Sequence, residues 1–141
     1  MAGPPRAATS DAYVAVTRGV RVVVTPRFLA DRSDPGEGRF FWAYTVRVEN
    51  LGEETVQLES RHWIITDGLN RTEEIRGPGV VGEQPTLRPG ERFEYTSGCP
   101  LPTPSGAMRG AYQMRAASGE TFEAVIPEFS LHRPEAARRL N

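Results

Sequence analysis

The sequence predicts an all-β chain folded as a sandwich of about seven to nine antiparallel strands. Three observations predict it. Phe40, Trp42, Tyr44, Val46 and Val48 alternate with Ala43, Thr45, Arg47 and Glu49, the period-2 pattern of a sheet with one wet face. Turn signals built on Gly, Pro, Asn and Asp return every ~10–15 residues. No long stretch carries the 3.6-residue apolar period of a helix.

Each element follows from local chemistry. Met1–Ser10 is small, Pro-containing and unpatterned, and residues 1–11 are expected to form a disordered tail. Tyr13–Val24 reads as strand, with Val20, Val22 and Val24 opposed to Arg21. Ala30–Gly38 is a loop by composition. Its acids Asp31, Asp34 and Glu37 do not follow calcium-loop spacing. Phe40–Glu49 is the clearest strand, with Trp42 and Tyr44 as core anchors. Thr55–Thr66 follows, with a bend expected near Glu59-Ser60.

Asp67-Gly68 signals a two-residue type I′ hairpin into a return over Arg71–Arg76. Arg88-Pro89-Gly90-Glu91 turns the chain again, and Phe93, Tyr95 and Ser97 alternate beyond it. Pro100, Pro102 and Pro104 mark Gly98–Gly106 as a connecting loop. Met108–Arg115 and Phe122–Ile126 form a last hairpin around Ser118-Gly119, ended by Pro127. The domain therefore spans residues 12–131, with a C-terminal tail over residues 132–141.

Bulk composition excludes several functions. A chain of 141 residues fits one domain. Its 18 acidic and 17 basic residues leave a net charge of −1, so no global field draws in nucleic acid or an anionic membrane. All 17 basic residues are arginine, an even substitution that reads as base composition. No apolar run is long enough to span a membrane, and no signal-peptide core is present. Cys99 is the only cysteine, which rules out an internal disulfide and fits the reducing cytoplasm.

The chemistry concentrates in Ser60–Pro85. Gly77-x-Gly79-x-x-Gly82 matches a dinucleotide fingerprint by letter, but that fingerprint needs a helix opening at its third glycine. Pro85 and Pro89 exclude one. Two readings remain: glycines that supply unusual backbone angles, or a nest of N–H groups holding an anion with Arg61 and Arg76 beside it. His62 faces away from Trp63, and no motif ties it to a nucleophile or a carboxylate. No HxH or HExxH spacing exists, so no metal site and no catalytic residues are assigned. Cys99 has no neighbouring lysine or histidine to activate it.

Taken together, these motifs resemble the bacterial ApaG family. The resemblance rests on Val56-Gln57-Leu58, Ser60-Arg61-His62-Trp63, Gly77-x-Gly79-Val80-Val81-Gly82-Glu83-Gln84-Pro85 and Leu87-x-Pro89-Gly90. It continues through Phe93-x-Tyr95-x-Ser97-Gly98, the run from Thr103-Pro104 to Met114, and Ile126-Pro127-x-Phe129. It covers about Tyr13 to Leu131 and is poorest at Ala30–Gly38, a loop longer than the family's usual hairpin. The resemblance implies a fibronectin type III-like sandwich with no established enzymatic activity and no cofactor. It implies an association with cobalt resistance and magnesium efflux. Similar domains in F-box proteins and in a DNA polymerase δ-interacting protein imply protein binding.

The expected function is thus a non-enzymatic binding module in the cytoplasm, contacting a protein or a small ligand. The alternative is a nucleotide- or pyrophosphate-binding protein that uses Gly77, Gly79 and Gly82 with Arg61, His62 and Arg76. A homodimer through a free sandwich edge is compatible with the near-zero charge. Neither nucleic acid nor membrane is expected as a partner.

Overall fold

Burying alternate side chains of a strand needs a second sheet to bury them against. In a computed structural model that describes residues 12–134, the chain supplies two sheets. The tails expected at residues 1–11 and beyond Pro134 lie outside the described residues. The strands run β1 (Tyr13–Thr17), β2 (Val20–Phe28), β3 (Phe40–Asn50), β4 (Val56–Asp67) and β5 (Thr72–Pro78). They continue with β6 (Thr86–Leu87), β7 (Arg92–Leu101), β8 (Ser105–Ala116) and β9 (Thr121–His132). One sheet has the order β1-β2-β3-β7 and the other β5-β4-β8-β9, with β6 pairing on β4. All pairings are antiparallel, so the chain is an immunoglobulin/fibronectin type III-like sandwich.

The predicted inward face holds, while Ala43 and Glu49 on the face expected to be wet are also buried, Glu49 among the guanidinium groups of Arg21 and Arg47. Phe40, Trp42, Tyr44, Val46 and Val48 are buried, together with Val20, Val22 and Val24 of the paired strand. Each such side chain contributes ~1.5–3 kcal/mol over its exposed state. The opposite sheet answers with Leu58, Trp63, Tyr112, Met114, Ile126 and Phe129. Trp63 stands edge-on to Tyr44, Tyr112 and Phe129, which locks the centre of the core. The bend expected near Glu59-Ser60 is a register shift between Leu58 and Ser60.

Four expectations are corrected. Tyr13–Val24 is two strands, because Arg18 and Gly19 both adopt positive φ (49° and 82°) and form a type I′ turn. The hairpins at Asp67-Gly68 and Ser118-Gly119 have three-residue loops instead of two. In each, a type I turn is followed by a left-handed residue, Asn70 (φ 64°) or Gly119 (φ 93°). The Asp67 carboxylate accepts the N–H groups of Leu69 and Arg71, which selects the longer loop.

The prolines also stop less than expected. Pro100 lies inside β7, and the connection to β8 shrinks to residues 102–104. Pro127 lies inside β9, opposite a register shift between Met108 and Gly110. Both strands are sheet edges, and an edge or a bulge can spare the ladder bond that proline removes. Finally, His132 belongs to β9, where its carbonyl accepts the indole N–H of Trp42 at 2.9 Å.

Candidate functional site

The register of the β4–β5 hairpin decides which residues of Ser60–Pro85 can act together. Cross-strand partners share a face. Arg61 pairs with Gly77, Trp63 with Ile75 and Ile65 with Glu73, and these share one face, buried at Trp63 and Ile65 and exposed at Ile75 and Glu73. His62 pairs with Arg76 and Ile64 with Glu74, on the outer face. The six residues predicted as one site are therefore split. Arg61 and Gly77 lie on the first face, while His62 and Arg76 lie on the outer one.

On the outer face, His62 Nε2 meets Glu74 Oε1 at 2.9 Å, and Arg76 donates to the same oxygen at 3.3 Å. The hydrogen bond from His62, seconded by Arg76, holds the Glu74 carboxyl below its usual range. This is an exposed polar cluster with its partners satisfied.

The glycine loop is a miniature hairpin. Val80 and Glu83 exchange both backbone hydrogen bonds at 2.8 Å, around a type I′ turn at Val81-Gly82. Gly79 donates to the Glu59 carbonyl at 2.8 Å. The N–H groups of Gly79, Val80 and Glu83 are thus spent on carbonyls. A Cβ at Gly79 would stand 2.1 Å from the Glu83 carbonyl oxygen, so this glycine permits the backbone to close on itself.

Gly77 has a different task. Its bare Cα is the seat of the Arg61 guanidinium, which a Cβ would meet at 2.9 Å. From there Arg61 Nη1 donates to the carbonyls of Pro78 and Gly79, each at 2.9 Å. No carboxylate pairs with Arg61 among the described residues.

Among the described residues, Arg61 borders a side where the sandwich stays open. At the other side β9 packs on β1 and β2. Between the edge strands β5 and β7 lies a cleft of about 450 Å³. Trp63, Tyr44 and Tyr95 form its interior wall, with Ile75, Val80 and Val81 on one side and Ser97, Cys99 and Pro100 on the other. Beneath it the Tyr95 and Tyr112 hydroxyls are hydrogen-bonded to each other. Burial pushes the phenols of Tyr44, Tyr95 and Tyr112 up, and the Arg61 charge pulls all three the other way. Burial, with the Glu73 charge, also pushes the Cys99 thiol up to about 11, so it is a protonated, unactivated thiol at neutral pH.

The sequence did not single out Tyr44, Tyr95, Ser97, Cys99 and Glu73 as site residues, although Tyr95 and Ser97 belong to a family motif. Cys99 was expected in a loop, but it lies within β7, nearly fully buried. The signal that finds these residues is the alternation Tyr95, Ser97, Cys99, which continues on one face of a strand once Pro100 is allowed into it. Among the described residues no group of three His, Cys, Asp or Glu side chains is placed to hold a metal ion. No helix among them is long and apolar enough to cross a membrane.

A two-sheet domain with an open edge, floored by aromatics and bordered by a single arginine, defines a class of small all-β domain. Sequence comparison supplies the family. The family model described as the ApaG domain matches residues 30–116. Protein ApaG of Bradyrhizobium sp. (strain ORS 278) is 61% identical over 129 residues, 92% of this chain and 99% of that one. Protein ApaG of Rhodospirillum centenum is 63% identical over the same shares of both chains. A crystal structure of a Bordetella pertussis protein described as ApaA superposes with a TM-score of 0.81 at 55% identity, over 83% of this chain and 95% of that one. The chain belongs to the ApaG family.

Proposed function

We propose that the chain is a non-enzymatic recognition module that receives its partner, a protein segment or a small ligand, at the cleft between β5 and β7. One observation carries this reading. The cleft places a half-buried guanidinium with no carboxylate partner among the described residues beside a wall of aromatic side chains. Concave, partly apolar sites with a few convergent polar groups are where ligands bind. Capturing a partner in the cytoplasm would serve the cobalt-resistance and magnesium-efflux process that the family resemblance implies. The single, unpaired cysteine is in keeping with that compartment.

The alternative, a nucleotide or pyrophosphate cradled by the glycine loop, has less support. The loop's N–H groups at Gly79, Val80 and Glu83 already have carbonyl acceptors. The test is recovery of partners from native cytosol by the wild-type chain and two variants. Val81→Asp puts a charge at the cleft mouth, where Val81 is 57% exposed with a positive φ that aspartate tolerates. His62→Ala alters only the outer face. A partner lost with Val81→Asp and kept with His62→Ala supports the cleft. Equal recovery by both variants, or no recovery by the wild type, overturns it.

A further inference from the structure

The chemistry of the cleft narrows what it can hold, on the reading that this cleft is the binding site. Arginine has five N–H donors in a rigid fork. Arg61 commits Nη1 to the carbonyls of Pro78 and Gly79. Those two bonds and the glycine seat at 77 fix the guanidinium plane. The Nε and Nη2 donors have no acceptor among the described residues. A pair of adjacent N–H groups on one guanidinium edge is the complement of a two-oxygen anion.

The rest of the cleft selects what the anion is attached to. Next along the same face stand Trp63 and Ile75, then Ile65 and Glu73. Positions 61 and 65 are four residues apart on β4, or roughly 13 Å along the strand. An arginine therefore stands at one end, an aromatic and an aliphatic side chain in the middle, and a carboxylate at the other end. Cys99 and Pro100 of β7 close the middle from the facing side. That order accepts one negative charge followed by an apolar or aromatic body, and it repels a second negative charge at the far end.

We infer that the β5–β7 cleft binds a small ligand with a single oxyanion head, carboxylate or phosphate, on an aromatic or apolar body, the head held by Arg61 and the far end screened by Glu73. Fixing the fork before binding reduces the ordering cost of the contact. The cleft volume suits a small molecule of this kind.

The experiment is a titration of isotope-labelled full chain, read at backbone amides, with four probes. These are 3-(4-hydroxyphenyl)propionate, its neutral amide, phenyl phosphate and inorganic phosphate. The carboxylate or the aryl phosphate is expected to shift the amides of Arg61, Ser97 and Cys99, and whichever binds tighter names the head. The neutral amide is expected to bind about tenfold more weakly or worse, since charge-assisted bonds are the stronger ones. Arg61→Gln should lose the same factor.

Arg61 also braces the glycine loop, so a second variant keeps the test independent of that role. Glu73→Gln changes an exposed side chain and should tighten the carboxylate probe a few-fold. It should also admit a probe with a second, distal carboxylate. The inference is overturned if the acid and its amide bind equally, if inorganic phosphate binds as well as phenyl phosphate, or if no probe moves a cleft amide at millimolar concentration. Equal binding of acid and amide in the cleft would leave the binding-module reading standing. The Val81→Asp comparison decides that reading separately.

Discussion

Tyr95 on β7 and Tyr112 on β8 join their hydroxyls across the space between the two sheets, with both rings buried. A polar bond there is costly to leave half-made, because the orphaned hydroxyl keeps its desolvation penalty. Tyr112→Phe is expected to cost about 1–3 kcal/mol. Tyr95→Phe with Tyr112→Phe should cost less than the sum of the single changes. Urea unfolding of the four proteins checks this. Strictly additive losses would show that the two hydroxyls are not energetically coupled.

The same burial makes the protein sensitive to alkali. The Cys99 thiol is pushed up to about 11 from an ordinary value of 9.0, and the phenols of Tyr44, Tyr95 and Tyr112 are pushed up too. A group whose proton is held more tightly when folded stabilises fully below its unfolded pKa and loses that contribution as pH rises toward the folded one. Stability should therefore hold to about pH 9 and fall through about pH 11, the window set by the thiol. Cys99→Ala should flatten part of that fall. Urea midpoints at pH 8 and pH 10.5 that coincide would contradict it.

The three glycines of the fingerprint should not respond alike. Gly79→Ala forces a Cβ to 2.1 Å from a backbone oxygen at φ +60°, and is expected to cost about 3 kcal/mol or more. Gly82→Ala meets nothing within 4 Å at φ +82°, so only the left-handed penalty of roughly 1–2 kcal/mol remains. Gly77→Ala should mainly displace the Arg61 guanidinium, which a shift of the Arg61 side-chain signals would report. Similar melting points for all three variants would refute this division.

Glu49 predicts the acid limb. Its carboxylate is 9% exposed and accepts hydrogen bonds from Arg21 and Arg47, with Arg92 at 4.0 Å. The Arg21 hydrogen bond, against an opposing burial effect, holds its carboxyl below the ordinary 4.5. A depressed carboxyl contributes stability above its unfolded pKa and loses it as pH falls through the folded one. Glu49→Gln should cost about 1 kcal/mol at pH 7, since the arginines stay partly in water. The gap between variant and wild type should shrink as pH falls below the ordinary 4.5 and through the lowered folded value, as seen by melting temperature across pH. A gap that persists there would assign the loss to packing.

Much of this was legible in the chain itself. The period-2 faces of Phe40–Glu49 and Met108–Arg115 placed the inward core residues correctly because successive side chains of a strand point to opposite faces. Turn lengths were less legible. Asp67 lengthens its hairpin through side-chain bonds to Leu69 and Arg71, which dipeptide preference does not contain. Pro100 and Pro127 were misread as stops because whether a proline breaks a sheet depends on strand order.

By itself the sequence determined the all-β class, the inward set of aromatics and valines, the irreconcilability of Gly77-x-Gly79-x-x-Gly82 with a helix, and the family. Local rules suffice for these, since each depends on residues close together in the chain. Strand alternation already put Arg61 on the face of Trp63 and His62 on the other; tertiary structure alone decided that the Arg61 face borders a cleft. It alone brought Tyr95, Ser97 and Cys99 of β7 to face Arg61 and Trp63 of β4. The open side of a sandwich is set by which strands end up at the edges of its two sheets, and that is a property of the pairing order, written in no single stretch.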